Sequence, residues 1–162
     1  MKKDIEEAFD EVFRARDKIE ELANQKRQDA TNREEAFRLA FSDRVKRVIK
    51  PTFESLKQLL EDHGIGAMVV ESEVSSGGRR SEPSIGLYAF SDDARVSSGT
   101  RRASDANVQL QLSCQAQKGT VGVHVCRPTP GGRAVSPEPD TALENVTEEW
   151  AQRSVLALLR KP

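Results

Sequence analysis

Two histidines and two cysteines are the residues of this chain best suited to catalysis or metal binding. His63 and His124 are its only imidazoles, and Cys114 and Cys126 are its only thiols. A structural metal site takes three or four ligands at short, regular spacing, which these residues lack. The sequence therefore predicts neither a metal site nor a cofactor.

His124 and Cys126 are two positions apart, the spacing of side chains on one face of a strand. A histidine beside a thiol can act as its general base, so a small enzyme with a His124 and Cys126 site is one hypothesis. The spacing does not ensure hydrogen-bonding distance, and a surface pair explains it equally well. The glycines at residues 77–78 and 131–132 match no phosphate-binding fingerprint and are interpreted as turns. We predict no catalytic residues and favour a protein that is not an enzyme.

Basic residues offer nucleic-acid binding as an alternative function. One set lies on predicted helices, and another lies mainly in loops that would meet at one end of an up-and-down sheet. Nearby acids cancel the charge of the loop set, and the net charge of −1 gives the whole chain no attraction for nucleic acid. The candidate contacts are Arg44, Lys46, Arg47 and Lys50 on the helices, and Arg101, Arg102, Arg127 and Arg133 in the loops.

Composition narrows the class of protein. The 162 residues are 36% apolar and 31% charged, with one Trp and one Tyr, which is typical of a small domain with exposed helices. Acids interrupt the first apolar positions, so no secretory leader is expected. No apolar run approaches the roughly 20 residues that span a bilayer. We predict a cytoplasmic protein without membrane contact.

The first predicted element is a helical arm over residues 1–63. Its apolar side chains recur mostly every three or four positions, the period of an amphipathic helix. Pro51 predicts a kink or a junction of two helices, since proline removes a backbone donor. Thr31 and Glu34 have the form of a capping box, which favours a turn and a helical hairpin there. An intermolecular antiparallel coiled coil is the alternative.

Charge and aromatic content suggest that this arm binds a partner. Residues 1–23 hold five Lys and Arg against eight Asp and Glu, whereas residues 24–50 hold eight against four, so the halves suit antiparallel pairing. Five of the six phenylalanines lie in the arm. We predict an interaction or adaptor protein that associates through the arm, as a homo-oligomer or as a subunit of a larger complex. The predicted interaction residues are Ile5, Phe9, Val12, Phe13, Ile19, Leu22, Phe37 and Phe41.

From residue 64 to residue 162 the pattern predicts an antiparallel sheet closed by a helix. The apolar period changes to two, which predicts a four-stranded meander. Its strands are expected at residues 66–74, 84–91, 107–117 and 120–127. Residues 128–139 are rich in turn formers and are interpreted as a loop. A terminal helix is expected from Asp140 or Thr141, with Trp150 packed on the sheet.

The third and fourth strands predict a specific register. With Lys118 and Gly119 as a two-residue turn, the facing pairs are all apolar: Ala116 with Val121, Cys114 with Val123, and Leu112 with Val125. Cys114 is then a core residue, and Cys126 is a partly exposed thiol on the opposite face. The two cannot bond to each other within this hairpin. A free thiol indicates a reducing compartment, which agrees with the cytoplasm.

Three short motifs carry a resemblance to a known group. Val48, Ile49 and Pro51 lie in one predicted helix, and His63 with Gly64 ends it. Residues 130–132 read Pro-Gly-Gly. From about residue 37 onward, the chain resembles small uncharacterised bacterial α+β proteins with this order of motifs. The resemblance implies a helix, strands, a Pro-Gly-Gly loop and a terminal helix, and it implies no activity.

Overall fold

The protein is an α+β protein with a five-stranded antiparallel sheet. A computed structural model describes residues 2–72, 82–90, 106–129 and 132–160, with only the backbone at 129, 132 and 133. The predicted fold class is confirmed, but the predicted number of strands is wrong. The elements are α1 (Lys2–Arg44), a π-helical segment (Val45–Ile49), α2 (Lys50–Asp62), β1 (Gly66–Ser72), β2 (Ser84–Phe90), β3 (Val108–Gln115), β4 (Thr120–Thr129), β5 (Gly132–Thr141), a 3-10 turn (Leu143–Asn145) and α3 (Glu148–Leu159).

The chain divides into two compact units, Met1–Ala36 and Phe37–Pro162. In the first unit, residues 2–36 are helical throughout, so the predicted hairpin turn at Thr31 is wrong. The Thr31 hydroxyl donates to the Arg27 carbonyl at 3.0 Å, a bond made inside a helix. Residues 24–35 contain no glycine or proline and are rich in helix formers, so the helix continues through them.

In the second unit, a π-helical segment joins α1 to α2 directly before Pro51. The Lys50 N–H donates to the carbonyl of Val45, five residues back. The wide turn precedes a proline that has no N–H to donate, so the predicted junction takes the form of a π-segment.

The same π-segment keeps one apolar row on the core side. Buried residues follow each other at intervals of four, and each such step advances about 40° beyond a full α-helical turn. The wider π-turn offsets this drift. The row consists of Phe41, Val45, Ile49 and Phe53.

The end of α2 confirms the prediction made from Gly64. This glycine has φ of 81°, and its N–H donates to the Glu61 carbonyl at 2.9 Å. The Ile65 N–H donates to the Leu60 carbonyl at 2.9 Å. These two bonds form a Schellman motif, in which glycine accepts the left-handed conformation without strain.

The sheet is a meander in the order β1-β2-β3-β4-β5. The predicted register of β3 and β4 is wrong by two residues, because Gln115 faces Thr120 across a four-residue turn. Among the described residues only Gly64 and Gly119 have positive φ, whereas a two-residue turn of the favoured type would require it of Lys118 as well. A shift of two leaves every side chain on its predicted face. The observed pairs are Cys114 with Val121, Leu112 with Val123, and Leu110 with Val125.

The segment predicted as a loop at 128–139 instead extends β4 and forms most of β5. Pro137 and Pro139 are tolerated because β5 is an edge strand and has a neighbour on one side only. Pro137 faces His124, and a register irregularity lies between Val121 and Val123.

The terminal helix begins later than predicted. Residues 142–147 separate β5 from α3. The Thr147 hydroxyl caps α3 by accepting a hydrogen bond from the Trp150 N–H at 3.1 Å.

One face of the sheet packs against the helices to form the main core. The helical side supplies the buried row together with Val155 and Leu158. Trp150 packs against this core. On the opposite face, Tyr88, Phe90 and Ala106 form a second, smaller cluster.

Candidate interaction surface

The predicted interaction residues separate into an exposed group and a buried group. Phe41 is 1% exposed, and Phe37 is half-buried against the main core, so these two belong to the packing of the second unit. The other six are 54–68% exposed. We call these six the N-terminal stripe: Ile5, Phe9, Val12, Phe13, Ile19 and Leu22.

The N-terminal stripe has the spacing of a helix-pairing seam. Ile5, Phe9, Val12 and Ile19 follow a pattern of alternating four- and three-residue steps, with Arg16 at the intervening position. Such a pattern keeps apolar side chains on one side of a helix and lets them enter gaps on a neighbour. Phe13 and Leu22 widen the apolar side.

Phe9 and Phe13 form the aromatic centre of the stripe. Their ring centroids are 6.4 Å apart and their planes are inclined by 24°. Large aromatic side chains are the residues that most often anchor protein interfaces. This pair is therefore the strongest candidate anchor in the described part of the chain.

The basic helix residues predicted for nucleic-acid contact are mostly engaged in the second unit. The Arg44 guanidinium donates to the carbonyls of Val146 at 3.0 Å and Glu144 at 3.5 Å. The Lys50 ammonium lies 3.1 Å from a carboxylate oxygen of Glu71. These contacts fix local packing and do not gather the cations into one surface.

The remaining basic candidates are scattered or lie outside the described residues. Arg47 pairs with Asp43 at 3.0 Å, and Lys46 is exposed. Arg127 pairs with a carboxylate oxygen of Glu138 at 3.5 Å. Arg101, Arg102 and the side chain of Arg133 lie outside the described residues.

Cys126 does not have the exposure predicted for it. The residue is 0% exposed and faces Gln109 across the ladder. Its sulfur lies 4.0 Å from the carbonyl of Ala106, on the sheet face that carries the second apolar cluster. His124 shares this face, but the buried sulfur lacks the access that a nucleophile needs.

Cys114 is buried on the core face, as predicted, and neither cysteine forms a disulfide. Burial first, and the nearby Glu82 carboxylate second, together raise the pKa of the Cys114 thiol to about 12. A thiol with a raised pKa is protonated at neutral pH and is a weak nucleophile.

A bidentate ion pair between Arg38 and Glu82 was missed by sequence reasoning. The two guanidinium nitrogens lie 2.9 and 3.1 Å from the two carboxylate oxygens. No periodic pattern marks partners 44 positions apart, so only the folded chain reveals the pair.

A second exposed apolar feature lies between α2 and α3. It is a groove of about 240 Å³, and Leu59 and Leu156 on its two sides are exposed. These residues provide a matched comparison for substitutions in the N-terminal stripe.

In the described ranges, no three His, Cys, Asp or Glu side chains are grouped closely enough to hold a metal ion. None of the helices in those ranges is both long and apolar enough to cross a membrane. Comparison with known proteins finds no matching family model, no similar curated protein and no similar solved structure.

Proposed function

We propose that this protein is a non-enzymatic interaction or adaptor protein that associates through the N-terminal stripe. The partner is a second copy or another subunit of a larger complex, and the association is a helix pairing of the coiled-coil kind. The supporting observation is a contrast within one helix: the six side chains of the stripe are 54–68% exposed, while Phe41 is 1% exposed.

The free energy gained by burying the side chains of the N-terminal stripe supports this function. Fully burying one large apolar side chain contributes about 1.5–3 kcal/mol. Six such side chains on one side of a helix can together offset an association cost of about 4–15 kcal/mol. Scattered exposed leucines need no such explanation, but a contiguous apolar stripe indicates an interaction site.

Nucleic-acid binding has less support. Arg44 and Lys50 make contacts within the second unit, and Arg47 lies beside Asp43. Titration with short duplex DNA and RNA at low salt tests this alternative, since such binding weakens steeply as salt rises.

A cytoplasmic location is part of the proposal. It is supported by two cysteines that form no disulfide, since a reducing compartment maintains cysteines as thiols.

The test compares the stripe with the groove between α2 and α3. The tagged full chain is purified gently from its source, and light scattering measures the mass of the recovered particle. Wild type and the control Leu59→Asp/Leu156→Asp should exceed the 18.0 kDa of one chain. The particle recovered with Phe9→Asp/Phe13→Asp should have the mass of one chain. A wild-type protein that runs as a single chain, identical to the stripe variant, would refute the proposal.

A further inference from the structure

The acidic N-terminal part of α1 places negative charge on both flanks of the aromatic centre of the stripe. Residues 4–11 contain five Asp and Glu and no Lys or Arg. None of these five carboxylates forms an ion pair with any residue that the structure describes. Phe9 lies inside this acidic run, and Phe13 stacks on it one turn later.

A second copy of the chain supplies no net positive charge from its first unit to match the acidic run. The sequence places a net +4 on residues 24–50, but Arg38, Arg44 and Lys50 are held by contacts of the second unit. Beyond the acidic run the first unit adds no net positive charge, since residues 12–23 and residues 24–36 each hold three Lys and Arg against three Asp and Glu. Two stripes side by side would therefore bring together two segments of net −3.

The same charge argues against a lipid surface as the partner. Amphipathic helices that bind membranes carry Lys and Arg on the polar side, which anionic headgroups attract. The acidic run of residues 4–11 is repelled by such headgroups.

We infer that the N-terminal stripe binds a different protein, which presents an amphipathic helix with Lys or Arg on both sides of its apolar residues. The inference rests on the function proposed above. The partner's apolar residues cover Phe9 and Phe13, and its cations neutralise the acidic run. A guanidinium can also stack on an exposed phenylalanine ring. Exposed ion pairs contribute only about 0.2–1 kcal/mol each, so the charges select the partner while the apolar contacts hold it.

The experiment uses the full chain and two designed helical probes of about four heptads. Both probes have leucine along the seam, and lysine flanks the seam in one and glutamate in the other. Fluorescence anisotropy at low salt should give about tenfold tighter binding of the lysine probe, as a few exposed pairs predict. Asp4→Lys/Glu6→Lys/Asp10→Lys, which changes acids on both flanks of the seam, should reverse the preference.

Two controls separate charge position from total charge and from folding. Asp29→Lys/Glu35→Lys/Glu54→Lys makes the same change in net charge at exposed sites outside the stripe, and it should keep the lysine preference. Phe9→Ala/Phe13→Ala keeps helix propensity high and should bind neither probe.

The outcomes distinguish this inference from the proposed function. Equal binding of both probes through Phe9 and Phe13, or self-association of the wild type through the stripe, overturns the basic partner and leaves stripe-mediated association standing. Failure of both probes to bind the wild type overturns the basic partner, while the light-scattering comparison decides the proposed function separately.

Discussion

Arg38 and Glu82 join the C-terminal part of α1 to the chain that enters β2. Nη2 of the arginine lies 2.9 Å from Oε1 of the glutamate, and Nε lies 3.1 Å from Oε2. Both side chains are largely withdrawn from solvent, at 22% and 30% exposure. A fork of this geometry requires the planar guanidinium and cannot be replaced by a lysine.

Arg38→Lys should therefore lower the free energy of unfolding by about 1–2 kcal/mol. Urea denaturation followed by the fluorescence of the single Trp150 measures it, since this residue packs against the main core. Arg47→Lys is the matched control, because its pair with Asp43 is well exposed and should contribute little. Equal losses in the two variants would contradict a special role for the fork.

Phe41 and Phe9 should differ sharply in their contribution to stability. Phe41→Ala leaves a cavity in the main core and should cost about 3–5 kcal/mol. Phe9→Ala changes an exposed side chain and should stay within about 0.5 kcal/mol. The same urea experiment reports both values, and a large loss in Phe9→Ala would show that the stripe belongs to the folded core.

Ser113 should be replaceable at no cost. Its buried hydroxyl has no hydrogen-bond partner among the described residues, so Ser113→Ala should leave stability unchanged or raise it by up to about 1 kcal/mol. A Cβ on Gly122 would lie 2.6 Å from this hydroxyl, so Gly122→Ala should be destabilising by about 1–3 kcal/mol.

A double-mutant cycle tests whether Ser113 and Gly122 are coupled. The penalty of Gly122→Ala should shrink when Ser113 is already alanine, because the closest clashing atom is then absent. Strict additivity of the two changes would count against this explanation.

Stability should fall in alkaline solution partly because of Cys114. Burial holds the pKa of this thiol at about 12 in the folded chain, above its ordinary 9.0. Below pH 9.0 the thiol is protonated in both states, and above it the unfolded chain ionises first, so stability declines until about pH 12. Burial also raises the pKa of Tyr88, which acts in the same direction above its ordinary 10.0. Cys114→Ala should flatten the decline in urea titrations, and an unchanged slope would refute the role of the thiol.

Local pattern determined the faces of the sheet but not its pairing. Alternation in β3 put Leu112 and Cys114 on the core side, which holds in the structure. The partner of each residue depended on the turn, and a two-residue turn required a positive φ at Lys118. β5 was missed because proline disfavours a central strand, and only the strand order makes it an edge.

The N-terminal stripe likewise depends partly on sequence periodicity and partly on the tertiary structure. The sequence by itself determined an amphipathic helix and its apolar stripe, since periodicity is a property of the chain alone. It could not distinguish Phe9 from Phe41, because burial depends on the surface that the rest of the chain supplies. Tertiary structure decided that Phe41 lies in the core while Phe9 remains exposed. It also decided that Arg38 and Lys50 pair with acids far along the chain, which no local pattern encodes.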